Sequence, residues 1–153
     1  MASQGLHGPG AMRLMGLDFS KAFLYGDMER TVYIELPDED ARKCGGQFVG
    51  LLRKSMYGLR DAPQIWQRVV HSMLTKRGFK SLVTTQCVYV NLEMDVTIVA
   101  HVDDFLCLGD RSSFVSLLAD LKTEYECSGD ILGPADDEVR KLKFLGRTIF
   151  ADR

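Results

Sequence analysis

Hydrophobic residues change their period several times along this chain, and each change marks an element. Residues 12–19 are apolar at almost every position, which predicts a strand buried on both faces and hence central in a sheet. Residues 20–25 follow as a short helical turn ended by Gly26. In residues 31–36, Val32, Ile34 and Leu36 share one face, the mark of a half-buried strand stopped by Pro37. The polar, glycine-bearing stretch 38–46 reads as a loop, and 47–53 as another short strand.

The clearest helix comes next. Ala62, Ile65, Trp66, Val69, Val70, Met73 and Leu74 recur at the spacing of one helical face. Asp61 stands at the N-cap, Pro63 in the first turn and Gln64 at the capping-box position, and Gly78 marks the end. A strand over 86–91 precedes two apolar runs, 96–100 and 105–108, which predict a β-hairpin with Asp103 and Asp104 in or beside its turn. A second helix is expected from Ser112, as cap, to Tyr125, with Phe114, Leu117, Leu118 and Leu121 inward. A loop over 128–138 and a final strand over 143–150 complete an α+β chain, an antiparallel sheet with helices on one face.

Composition narrows the picture. The 153 residues are 46% apolar and 26% charged, enough for one domain with a real core. Residues 1–11 read as a flexible leader without a secretory pattern, and no run is long and apolar enough to span a membrane. A net charge of −2 does not mark a dedicated nucleic-acid module, yet it leaves room for a local basic groove. Cys44, Cys87, Cys107 and Cys127 have neither zinc spacing nor a disulfide framework, so an intracellular setting is the default.

Asp103-Asp104 alone has a plain explanation, since Asp is a common turn residue. The second apolar strand, ending at Asp18, changes that. Two strand ends that bring carboxylates together make a site for divalent cations, which favour hard oxygen ligands.

The blocks around these residues resemble one family. Asp18-Phe19-Ser20-Lys21-Ala22-Phe23-Leu24-Tyr25-Gly26-Asp27 is similar to the first catalytic block of copia-type retrotransposon reverse transcriptases, Asp-Val-Lys-Thr-Ala-Phe-Leu-Asn-Gly-Asp. Val32-Tyr33-Ile34-Glu35-Leu36-Pro37 resembles their Ile-Tyr-Met-Glu-Gln-Pro. Lys54-Ser55-Met56-Tyr57-Gly58-Leu59-Arg60-Asp61-Ala62-Pro63 resembles Lys-Ser-Leu-Tyr-Gly-Leu-Lys-Gln-Ala-Pro. His101-Val102-Asp103-Asp104 stands where the family has Tyr-Val-Asp-Asp, and Phe144-Leu145-Gly146 matches its closing strand. The blocks run in the right order from about residue 14 to 150.

The resemblance implies an RNA-directed DNA polymerase with a palm-like, ferredoxin-type split βαβ sheet and partial fingers over residues 12–153, without thumb or ribonuclease H. It nominates Asp18, Asp103 and Asp104 as catalytic residues holding two Mg²⁺ or Mn²⁺ ions, with the carbonyl of Phe19 as a further ligand. It nominates Phe23, Arg60 and Asp61 for the nucleotide, and Arg53, Lys54, His101, Leu145 and Gly146 for nucleic acid. Phe23 as plain core and Asp61 as plain helix cap stand beside those roles. Phosphate contact and ordinary solvation are equally good accounts of the basic residues Arg53, Lys54, Arg60, Lys76, Arg77 and Lys80. His101 replaces a tyrosine and reads as a packed side chain. The implied partners are a template with primer, a nucleoside triphosphate and the remaining domains of a polyprotein, with no membrane, in a cytoplasmic particle. The alternative is an inactive relic that keeps the fold as a binding module.

Overall fold

The computed structural model describes residues 11–43, 45–46 and 48–151; most of the expected leader, and Cys44, lie outside them. In chain order, β1 (Arg13–Phe19) leads through a 3₁₀ turn, Ala22–Tyr25, to β2 (Tyr33–Glu35), α1 (Asp38–Lys43), β3 (Val49–Leu51) and α2 (Ala62–Lys76). Then come β4 (Lys80–Leu82), β5 (Thr85–Asn91), β6 (Val96–His101), β7 (Asp104–Gly109), α3 (Arg111–Leu121), β8 (Cys127–Leu132), β9 (Lys141–Phe144) and β10 (Arg147–Phe150). The described residues form two compact units, one of residues 11–20 with 71–151 and one within residues 21–70. The structure is mixed α+β, and its named strand pairs are all antiparallel.

The first unit is built on a six-stranded sheet ordered β4-β5-β6-β7-β1-β8. As the double-sided apolar pattern predicts, β1 is interior, between β7 and β8. Alternation then sorts its side chains: Met15, Leu17 and Phe19 are buried, with Phe105, Cys107, Val96 and Ile98 on the same side. Phe19 meets Phe105 and Tyr125 edge-on, at ring separations of 5.1 and 5.9 Å. Phe114, Leu117 and Leu121 of α3 are buried too, and a Cβ at Gly109 or Gly129 would run into Phe114 and Val96 or into Leu118 and Met15. Helix α3 therefore lies on this face. Against the opposite face stands the β9–β10 hairpin, whose Leu142 Cδ2 would sit 3.2 Å from a Cβ at Gly16.

Four expectations are corrected in this unit. Residues 127–132 form β8 and not a loop: the turn-like Ser128-Gly129-Asp130 occupies an edge strand because it pairs along β1, from Leu14–Leu132 to Phe19–Cys127. The final strand is two strands, since Leu145 and Gly146 both adopt positive φ (48° and 71°) and fold the segment back. Helix α3 is capped by Asp110, whose carboxylate accepts from the Ser113 amide at 2.9 Å, and it ends at Leu121, before Tyr125. Finally, Arg77 is no solvated helix end. Its side chain is 9% exposed, ion-paired to Asp120 and to Glu124 (2.9 Å), with the guanidinium 5.9 Å from the Tyr125 ring centre.

In the second unit, β2 and β3 pair as a short ribbon, Tyr33–Leu51 to Glu35–Val49. The expected loop at 38–46 contains helix α1. Asp38, Glu39 and Asp40 fill its first turn and Arg42 and Lys43 its last, matching the helix dipole, while the helix buries no side chain. Gly26 is required where it is, because a Cβ there would meet Ile65 Cγ2 at 2.2 Å. The helix predicted from residue 62 is found as α2, and its apolar positions Ile65, Trp66, Val70, Met73 and Leu74 are buried.

Candidate functional site

The three candidate carboxylates all belong to the sheet-bearing unit. Asp18 is the next-to-last residue of β1, exposed, between the buried Leu17 and Phe19. Its side chain therefore leaves the sheet on the side away from α3. The β1–β7 register runs from Arg13–Gly109 to Leu17–Phe105, and the next pair in that register is Asp18 with Asp104. Directly opposed residues share a face with Cβ atoms about 4.5–5.5 Å apart. The β6–β7 hairpin closes through His101 opposite Asp104, leaving Val102 and Asp103 as the turn. Asp103 and Asp104 thus sit in and beside a tight turn, as the flanking apolar runs predict.

Asp18, Asp103 and Asp104 are exposed, and none has a side-chain hydrogen bond or ion pair among the described residues. Like charges directly across a ladder repel. A cation between Asp18 and Asp104 would relieve that repulsion, and carboxylate oxygens are the donors that hard divalent ions take. Among the described residues, however, no three His, Cys, Asp or Glu side chains converge closely enough to hold a metal ion.

The turn has a further property. Val102 has φ of 55°, a conformation strained for a β-branched residue, and Asp103 is not in that region. Positive φ at the first central residue alone is the pattern of a type II′ turn, where glycine is the usual occupant. His101 is exposed and not packed, because it closes β6 on the same face as Asp104. Phe19 turns its side chain into the core, so a ligand role would fall to its carbonyl. Leu145 and Gly146 form the β9–β10 turn, with Leu145 48% exposed.

Two polar residues on this face escape the sequence reading. Ser128 on β8 is directly opposite Asp18, and Asp130 is opposite Gly16, both exposed. The alternation of Cys127, Gly129 and Ile131 with Ser128 and Asp130 was the available signal, masked by the turn-forming composition.

The remaining candidates lie in the second unit. Phe23 is buried at 8% exposure and takes the edge of Tyr57 at 4.6 Å between ring centres; Tyr57 is half exposed. Asp61 accepts from Arg30 Nε at 2.7 Å and from its NH2 at 3.3 Å, a two-pronged pair that holds the carboxyl below the usual range. Its backbone carbonyl receives the Ile65 amide at the start of α2. Lys54 Nζ lies 2.7 Å from Asp27. Arg53 and Arg60 are exposed, and neither forms an ion pair among the described residues. Of the four cysteines, the described three are unbridged, and burial pushes the Cys107 thiol up to about 12. No helix among the described residues is long and apolar enough to cross a membrane.

Comparison with known proteins agrees with the resemblance. A family profile described as reverse transcriptase (RNA-dependent DNA polymerase) matches residues 11–145. A retrovirus-related Pol polyprotein from transposon TNT 1-94 of Nicotiana tabacum is 30% identical over 141 residues, covering 90% of this chain and 10% of that protein. The transposon Ty1-GR3 Gag-Pol polyprotein of Saccharomyces cerevisiae is 32% identical over 126 residues, 81% of this chain and 7% of the polyprotein. The chain thus spans a tenth or less of the length of these relatives.

Proposed function

Because this chain belongs to the reverse transcriptase (RNA-dependent DNA polymerase) family, in its copia-type branch, we propose that it is a polymerase palm with partial fingers, residues 12–153, and that Asp18, Asp103 and Asp104 are its catalytic carboxylates. The observation that supports the reading is the β1–β7 register, whose last pair, Leu17–Phe105, is followed by the exposed Asp18 on one strand and preceded by the exposed Asp104 on the other, with Asp103 in the adjoining turn. Strand order supports a ferredoxin-type split βαβ: β6, β7, β1 and β8 are contiguous, and α2 and α3 lie in the long connections out of β1 and β7.

Mg²⁺ or Mn²⁺, two ions acting together, would supply stabilisation of the charge on the attacking and leaving oxygens of nucleotidyl transfer. Asp18, Asp103 and Asp104 would hold them, helped by the Phe19 carbonyl. Asp18 pairs with Ser128 on β8, and its neighbour Leu17 pairs with Phe105 on β7, which favours a preorganised site. Phe23, braced by Tyr57, would shape the sugar pocket, and Arg60 and Asp61 would border the nucleotide, Asp61 with its charge balanced by Arg30. Arg53, exposed and without an ion pair among the described residues, is a ready phosphate contact, whereas Lys54 would first have to leave Asp27. His101, Leu145 and Gly146 would meet the primer or template strand.

One observation favours a second reading, an inactive fold kept as a binding module: the described carboxylates do not themselves converge into a three-ligand metal group. Primer extension on an RNA template with Mg²⁺ or Mn²⁺ separates the two. Under the first reading the chain extends the primer, and Asp103→Asn lowers extension by about 100-fold or more. A folded chain that extends nothing and binds Mn²⁺ no better than its Asp103→Asn form would establish the second.

A further inference from the structure

The β2–β3 ribbon of the second unit turns one face to water, and the middle of that face is apolar. Exposure alternates along both strands: Tyr33, Glu35, Val49, Leu51 and Arg53 are exposed, while Ile34, Gly50 and Leu52 between them are half-buried. Tyr33 is 63% exposed, Val49 59% and Leu51 47%. The pairs Tyr33–Leu51 and Glu35–Val49 set the three apolar side chains side by side. The Leu52 amide donates to the Val32 carbonyl at 3.0 Å, so the ladder runs on past Leu51 towards Arg53.

Charge stands at the corners of this face. Glu35 lies beside Val49 at one end of the ribbon. Arg53 lies four residues beyond Val49, about 13 Å along the chain, at the other end and on the other strand. Neither forms an ion pair among the described residues. Arg53 also borders a hollow of about 290 Å³ with Arg30, Thr31 and Leu51. The other charges lining that hollow are paired, Arg30 with Asp61 and Glu29 with Arg68. Among the described residues the hollow thus offers one uncommitted cation, Arg53, beside an apolar wall.

We infer that this face docks on the same face of a second copy of the chain. In a two-fold pair, a residue that meets another is met by it in return. An axis lying in the contact and running across the strands satisfies that demand here. It sets Glu35 of each copy over Arg53 of the other, with Tyr33 against Tyr33 and Leu51 against Leu51. The strands of the two ribbons then cross at roughly 30°, the usual angle of sheets packed face to face. The Glu35 carboxylate enters the hollow beside Arg53, and water leaves the apolar centre. A nucleic-acid strand fits this face worse, because Glu35 repels phosphate and Asp38, Glu39 and Asp40 open helix α1 just after it. Two short strands make a small contact, so the pair is weak, with a Kd of roughly 10–100 µM. Engaged in it, Arg53 is withheld from phosphate. The inference does not rest on polymerase activity.

Sedimentation velocity of the whole chain over about 1–300 µM tests it, and a reversible monomer–dimer equilibrium is expected. Glu35→Arg or Arg53→Glu alone puts like charges together at both ends and should weaken the dimer by about tenfold or more. Combined in one chain, the two changes exchange the charges and should restore affinity to within about threefold. Mixed as separate chains, the two single variants should pair with each other, one supplying two cations and the other two carboxylates. Val83→Asn, exposed in the other unit, should leave the dimer within about twofold. Should a charge variant lose its far-ultraviolet circular dichroism, Tyr33→Ser decides, with a loss of about fivefold. A chain still monomeric at about 300 µM overturns the inference. So does a dimer that neither charge variant weakens, or a double variant no tighter than the singles.

Discussion

The β6–β7 hairpin turns on Val102–Asp103, and the β9–β10 hairpin on Leu145–Gly146. Both turns are two residues long, both lie in the sheet-bearing unit, and both begin with a residue of positive φ, 55° and 48°. In the second turn glycine takes the other left-handed position, at 71°, where a side chain would touch nothing within 4 Å. Glycine thus relieves one of that turn's two left-handed positions, and Leu145 bears the other. In the first, a β-branched residue occupies the position that glycine fills best, and the next residue is a carboxylate. Strain of this kind costs about 1–3 kcal/mol and collects at functional sites. The difference teaches that the β9–β10 turn is chosen for geometry and the β6–β7 turn for what it presents.

Exchanging chemistry between the turns should give the largest contrast. Asp103→Gly should abolish metal-dependent primer extension, a fall of about 100-fold or more, while Leu145→Asn should change it by less than about threefold. Steady-state extension rates on one template check both. Next in size is stability at the second turn. Gly146→Val places a β-branched residue at a φ of 71°, with open space around it, so the cost is pure backbone strain of about 1–2 kcal/mol, read from the urea midpoint. The reciprocal change, Val102→Gly, should leave the protein about 0.5–1 kcal/mol more stable. It should also slow extension, because the turn then holds Asp103 less firmly. An unchanged midpoint would show that Val102 is not strained.

The smallest effect is a matter of pH, and it lies at the far end of β7. Asp110 is held down to about 2, first by the Ser112 hydroxyl and then by the Ser113 amide. A carboxyl lowered in the folded protein adds stability that is complete above its unfolded value of 3.8 and is lost as pH falls towards 2. Asp110→Asn keeps the cap and should flatten this part of the acid-unfolding profile, while Asp103→Asn should not.

Much of this fold was legible along the chain. Trp66, Val70 and Met73 announced α2 by spacing alone, and the apolar runs flanking Asp103-Asp104 announced the hairpin. What escaped has identifiable causes. Strand β8 carries Ser128, Gly129 and Asp130, which signal a turn locally; Gly129 is needed there because Leu118 and Met15 crowd it, a contact between distant segments. Arg77 looked like a solvated helix end, and only folding brings Asp120 and Glu124 to it. Helix α1 rests on its charge order, without an apolar face to betray it. Of the candidate site, the carboxylates were readable because the blocks that hold them resemble one family, whereas Ser128 and Asp130 lie on a strand whose alternation is masked by turn-forming composition.

That pairing has a consequence in time. Strand β1 leaves the ribosome before the other strands named here, yet both neighbours that hold it, β7 and β8, lie roughly a hundred residues later in the chain. At synthesis rates of about 5–20 residues per second, an apolar β1 waits for several seconds, at least, without its partners. Asp18 acquires its fixed position late, when Cys127–Leu132 has emerged and closed the outer edge of β1. A ribosome stalled before residue 127 would therefore display a chain with every candidate carboxylate already made and Asp18 not yet paired with Ser128, a state open to chaperone capture.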